Sequence, residues 1–123
     1  MAKIKSFTDI IAWKKAHELV LEIYKITYKF PKSEQLGLSN QIRRCTVSIS
    51  SNIAEGFSRK TNKEKVRFYH ISLGSLTELQ NQLLIARDVG YLSKIEFNKL
   101  ANMTVEVSKL LNGLIKNIGK LNS

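Results

Sequence analysis

Apolar residues return every three or four positions along most of the chain, the spacing that gathers them on one face of an α-helix. From about Asp9 to Lys29 the recurring positions are Ile10, Trp13, His17, Val20, Tyr24, Thr27 and Phe30. A second stripe of Ala12, Leu19, Ile23 and Ile26 widens the apolar face, which predicts a first helix touching more than one neighbour. The only proline, Pro31, stands in the polar stretch Phe30-Pro31-Lys32-Ser33-Glu34-Gln35. Lacking an N–H and clashing with the preceding turn, it forces a boundary there. A second helix is predicted from about Leu38 to Phe57, with Leu38, Ile42, Cys45, Ile49, Ile53 and Gly56 toward the core.

Thr61-Asn62-Lys63-Glu64 has the form of a capping box, in which hydroxyl and carboxylate satisfy the open amides of a helix start. The third helix begins there, carries Phe68, Ile71, Leu76, Leu79, Leu83 and Ala86 as its apolar positions, and stops near Gly90, where glycine closes the end in the left-handed region. Ser93-Lys94-Ile95-Glu96 is a second capping box. It opens a fourth helix whose Phe97, Leu100, Thr104, Val107, Leu111, Leu114, Ile118 and Leu121 make a heptad seam, broadened by Met103 and Leu110. With no strand pattern or repeat in competition, the fold class is all-α, an antiparallel up-and-down four-helix bundle forming a single domain over residues 1–123.

Charge changes this picture. Twenty Lys plus Arg against ten Asp plus Glu leave a net charge of +10, which favours polyanions as partners. Arg59, Lys60, Lys63, Lys65 and Arg67 fall close together with only Glu64 among them; Lys14, Lys15, Arg43 and Arg44 are second candidates for contacting phosphate. Phe68 and Tyr69 lie beside the basic run, where an aromatic ring can stack on a base; helical spacing assigns Phe68 to the core. The N-terminus has no apolar run of signal-peptide length, no stretch reaches the roughly 18 apolar residues of a membrane span, and one cysteine excludes an internal disulfide. A cytoplasmic setting is expected.

The chemistry of catalysis finds little purchase. Di-iron bundles present Glu-x-x-His pairs, but Lys14 and Arg67 stand three residues before His17 and His70. His17 is expected as a hydrogen-bonded core or interface residue, and His70 faces solvent or nucleic acid. Cys45 sits in helical sequence away from any strained turn, as a small buried side chain does. No glycine-rich phosphate loop exists. No enzyme activity, metal or cofactor is expected.

The ten residues Cys45 to Ala54 carry no charge and are mostly small, so other backbones can approach this helix closely. Arg44, Ser48, Asn52, Glu55 and Arg59 form a polar stripe at helical spacing, and the third helix repeats the habit in Leu73-Gly74-Ser75-Leu76-Thr77-Glu78-Leu79-Gln80. Asn52, Glu55, Ser75 and Glu78 are therefore expected in a polar network between helices or subunits, with Arg43, Arg44 or Arg59 as counter-charge, because a carboxylate enclosed there requires a partner.

Gly37-Leu38, Gln41-Ile42-Arg43-Arg44, Ser48-Ile49, Asn52-Ile53-Ala54-Glu55-Gly56, Arg59 and Gly74-Ser75-Leu76-Thr77-Glu78-Leu79 together resemble the signature of the bacterial four-helix-bundle family named for proteins encoded in intervening sequences of large-subunit ribosomal RNA genes. The resemblance runs from Trp13 through the Gly90-Tyr91-Leu92 turn. It implies a homopentameric, barrel-like ring, an RNA-associated role, and kinship with the accessory variability protein of diversity-generating retroelements, which binds nucleic acid and partners a reverse transcriptase. Ser50 stands where the family commonly has proline, so the helix bend that proline imposes must come, if at all, from a serine bonding back to its own helix. The implied function is a non-enzymatic oligomeric scaffold for RNA or DNA. The alternative is a protein adaptor, for example for a reverse transcriptase, without a nucleic-acid role of its own.

Overall fold

The computed structural model describes residues 3–121, with side-chain surroundings for residues 3–118. Four helices follow in order, α1 (Ile11–Thr27), α2 (Leu38–Ser58), α3 (Asn62–Asp88) and α4 (Lys94–Leu121), with short 3₁₀ turns at Phe7–Asp9 and Lys32–Glu34. Each helix packs on its chain neighbour and α4 closes against α1, leaving α1/α3 and α2/α4 as diagonals. Short connections make neighbours antiparallel, so this is the up-and-down bundle that the apolar spacing predicts.

Polar residues set the ends. Around the first 3₁₀ turn Ser6 Oγ accepts from Thr8 N at 3.2 Å, and the Asp9 carboxylate accepts from Ser6 N at 3.1 Å. At α4 the predicted capping box is complete: Ser93 N donates to Glu96 Oε1 at 3.0 Å and Glu96 N to Ser93 Oγ at 3.1 Å. At α3 it is half formed. Thr61 Oγ1 accepts from Glu64 N at 3.2 Å, but the Glu64 carboxylate takes the Thr61 hydroxyl, also at 3.2 Å. After Pro31, Glu34 joins two elements, accepting from Leu38 N at 3.1 Å and from the Tyr91 hydroxyl at 2.8 Å. These donors hold its carboxyl below the usual range. Gly90 adopts φ +87°, the left-handed close expected after α3.

The interior corrects two of the predicted faces. In α1 the buried stripe is Ala12, Ala16, Leu19, Ile23 and Ile26, whereas Tyr24 and His17 are exposed and Trp13 and Val20 half-buried. Both stripes are apolar, but α1 has only two helical neighbours, and the slim aliphatic one fits between them. The bulkier side chains with polar tips lie along the open flank. His17 is therefore not a hydrogen-bonded core residue; its ring stacks on Trp13 at 4.8 Å and 11°.

In α3 the interior set is Tyr69, Ser72, Leu76, Leu79, Gln82, Leu83 and Ala86, while Ile71 is exposed and Phe68 half-buried. A polar residue displaces Ile71 because Ser72 Oγ has an acceptor across the seam, Ile49 O at 2.7 Å. Tyr69, 2% exposed, is a core residue unavailable for stacking on a base. In α4 Leu100, Thr104, Val107 and Leu111 are buried as predicted; Leu121 lies outside the residues whose side chains are described. Helix α2 runs through Ser50 without interruption, and Ser50 Oγ bonds back to Val47 O at 3.1 Å.

Candidate functional site

The tight turn between α2 and α3 brings the basic run to one corner of the bundle. Arg59 has left the helix, with φ −73° and ψ 150°, and its N–H still reaches Gly56 O at 3.2 Å. Its guanidinium pairs with Glu55 at 2.8 Å and covers the Phe68 ring at 4.4 Å. Lys65 turns back on α2, donating to Phe57 O at 2.6 Å, where a cation meets the open carbonyls of a helix end. Lys60, Lys63 and Arg67 differ: all three are exposed and have no hydrogen-bonding or ionic partner among the described residues. The amino end of α3 adds its own positive potential beside them.

The second set of cations divides in the same way. Lys14 is exposed and forms no ion pair among the described residues, and the up-and-down topology places it, in the first turn of α1, at the same end of the bundle as the corner. Lys15 bridges Glu18 and Glu106, each at 3.4 Å, and the two carboxylates raise its pKa. Arg43 donates Nε to Thr27 Oγ1 at 2.9 Å and stacks over Tyr24 at 4.7 Å. Arg44 is exposed on α2 and forms no ion pair among the described residues. Arg43 and Arg44 stand at the opposite end from the corner, so topology distributes the candidate cations between both ends. His70 is exposed.

The small uncharged centre of α2 meets its counterpart on α3. Ser48 Oγ and Ser75 Oγ lie 2.8 Å apart, Asn52 Nδ2 donates to Ser48 O at 2.8 Å and Ser48 Oγ at 3.1 Å, and Cys45 Sγ donates to Ser75 O at 2.9 Å. Asn52 and Ser75 are thus connected, through Ser48, a residue of the stripe that was not assigned to the network. Glu55 is apart, paired with Arg59, and Glu78 meets Gln82 Nε2 at 3.4 Å. Within the chain Asn52, Ser75 and Glu78 thus gather along one seam through Ser48 and Cys45, while Glu55 stands apart with Arg59. Burial, helped by neighbouring Glu78, pushes the Cys45 thiol up to about 12, so it stays protonated as the donor to Ser75. Gly56 completes the seam, since a Cβ there would meet Tyr69 Cε1 at 2.6 Å.

The motifs NIAEG and GSLTEL, far apart in sequence, therefore face each other across one seam of a bundle of this topology. The family model of the 23S rRNA-intervening sequence protein matches residues 8–113. The chain belongs to that family. A solved structure is similar to this intervening-sequence protein with a TM-score of 0.80 and 23% identity, covering 89% of this chain and 98% of the other. It is described as a protein with unknown function from the S23 ribosomal protein family of Bacteroides thetaiotaomicron VPI-5482, and the likeness speaks to fold. No curated protein matches the sequence. No helix among the described residues is long and apolar enough to cross a membrane, and no group of three or more His, Cys, Asp or Glu gathers there as metal ligands.

Proposed function

We propose that this intervening-sequence protein is a non-enzymatic, cytoplasmic, homo-oligomeric scaffold that binds RNA or DNA through phosphate, with Lys60, Lys63 and Arg67 as the principal contacts and Lys14 at the same end. The observation that carries the reading is a cluster of exposed cations that form no ion pair among the described residues, in a protein of net charge +10. The ring is taken as a homopentamer and the retroelement accessory protein as a relative, both from the sequence resemblance. Repetition of a weak corner around a ring makes later contacts intramolecular and raises avidity by about 100-fold where geometry allows simultaneous engagement. Arg59 and Lys65 hold the corner in shape, one through Glu55 and Phe68, the other through the end of α2.

Fluorescence anisotropy with generic RNA and DNA across a salt series tests the reading. Binding that weakens steeply with salt supports it; absence of binding at low salt overturns it and favours the adaptor, for which Leu21, Tyr24 and Val47 supply an exposed apolar surface on α1 and α2.

A further inference from the structure

At the end of the bundle opposite the basic corner, where α1 gives way to the Pro31 connection and α2 begins, a cleft of about 370 Å³ is lined by Thr27, Tyr28, Phe30, Lys32, Ser39 and Arg43. Its lining combines features that converge on an anion. Ser39 is 4% exposed, yet its hydroxyl has no hydrogen-bond partner among the described residues. The residue lines the cleft, so its free hydroxyl is open there to donate to an anion. Arg43 is fixed in place, with Nε on Thr27 Oγ1 at 2.9 Å, one terminal nitrogen 3.5 Å from Tyr24 O, and its plane 4.7 Å over the Tyr24 ring. Lys32 is exposed and forms no ion pair among the described residues.

The first turn of α2 supplies the remainder. Glu34 already accepts from Leu38 N at 3.1 Å, and Gly37, the cap residue, offers no side chain. The amides of Ser39 and Asn40 that follow have no acceptor within the described chain. Open amides at the start of a 21-residue helix attract negative charge. Tyr28, 84% exposed, and Phe30 provide aromatic walls. The nearby carboxylate, Glu34, is turned to Leu38 and Tyr91 and does not line the cleft.

We propose that this cleft binds the phosphate of a nucleotide, with Arg43, Lys32, the Ser39 hydroxyl and the first amides of α2 on the phosphate and Tyr28 against the base. The nucleotide is either free or the 5′ end of a strand; the phosphate chemistry is the same. The inference stands apart from the role of the Lys60, Lys63 and Arg67 corner.

Amide chemical shifts of the full chain are followed during titration with adenosine 5′-monophosphate, adenosine, inorganic phosphate, and short adenylate oligonucleotides with and without a 5′-phosphate. In the free-nucleotide case the monophosphate moves the Ser39 and Asn40 amides, and Lys32→Gln and Ser39→Ala each weaken it by about tenfold, as loss of a charge-assisted hydrogen bond does. In the strand-end case only the 5′-phosphorylated oligonucleotide moves those amides, with the same losses. Either result supports the site, provided a Lys60→Gln, Lys63→Gln, Arg67→Gln triple variant retains the shifts. Adenosine acting as well as its monophosphate, unchanged affinity in both cleft variants, or no movement at Ser39 and Asn40 with any phosphate-bearing probe overturns it.

Discussion

Gly56 shows most directly what a single residue contributes to this bundle. It lies in the NIAEG run, faces α3, and leaves room for Tyr69, whose ring atoms would stand 2.6 and 3.0 Å from an added Cβ. Phe68 Cβ, at 3.2 Å from the added atom, crowds it as well. Gly56→Ala therefore forces α2 and α3 apart although alanine favours helix, and an overpacked seam of this kind loses about 1–3 kcal/mol, measured as a lower urea midpoint at unchanged slope. Gly74 gives the contrast: no atom lies within 4 Å of a Cβ there, and its position is mid-helix and exposed. Gly74→Ala in the isolated subunit should raise stability by about 0.5–1 kcal/mol, read in the same urea titration.

The elements are held by their ends as much as by their faces. Ser93 and Glu96 exchange hydrogen bonds at the start of α4, and Glu96 also meets Lys29, in the turn just past α1, at 3.0 Å. Ser93→Ala should lower stability by about 1 kcal/mol, visible as a reduced melting temperature. Acid sensitivity follows from the same caps. Donors from Leu38 and Tyr91 lower the pKa of Glu34, while the Ser93 amide and Lys29 lower that of Glu96. A carboxylate whose folded pKa lies below its unfolded value contributes stability in full above the usual glutamate value of 4.5, and loses it as pH falls through the folded pKa. Melting temperature should consequently fall as the solution is acidified below that value, and Glu34→Gln should flatten the fall while lowering stability at neutral pH.

At this scale the sequence was legible in boundaries more than in faces. Pro31, the two Ser/Thr-x-x-Glu boxes and Gly90 located the end of α1, the starts of α3 and α4 and the close of α3 by local chemistry, though only the Ser93 box closed reciprocally. The interior of α1 and α3 was harder to read, because Trp13, His17, Tyr24 and Ile71 fit the helical period as well as the residues that are buried. A period identifies an apolar arc; it does not say which edge of the arc the neighbouring helices cover.

For the whole molecule, the surface separates charge from its absence. Exposed Lys60, Lys63 and Arg67 occupy one corner, while Ser51 is exposed and Ala54 half-buried on the uncharged stretch of α2. Replacing the three cations by glutamine should reduce the slope of log affinity against log salt by about 0.7 to 0.9 for each lost phosphate contact, with circular dichroism unchanged. Assembly makes a separate demand: in a ring that covers the middle of α2, Ala54→Arg places an unpaired charge in an interface, and sedimentation should show a smaller species that is still helical.

The candidate site was legible as a set of basic residues and illegible as a surface. Lys65, Arg59, Lys15 and Arg43 look like their neighbours in sequence, yet the fold engages them with helix-end carbonyls, carboxylates, a threonine and aromatic rings. Ser39 and Lys32, which meet Arg43 in one cleft, carried no sequence signal at all.

The amino-acid order alone determined a four-helix, up-and-down chain, its boundaries and its excess of positive charge, because helical periodicity, capping and proline geometry act within a few residues. Only the tertiary structure decided that Ser72 enters the core and Ile71 leaves it, that Gly56 meets Tyr69, and which cations remain without partners. Those outcomes depend on hydrogen-bond acceptors and close contacts contributed by residues distant in sequence, such as Ile49 O for Ser72 at 2.7 Å, and local pattern contains no information about who stands across a seam.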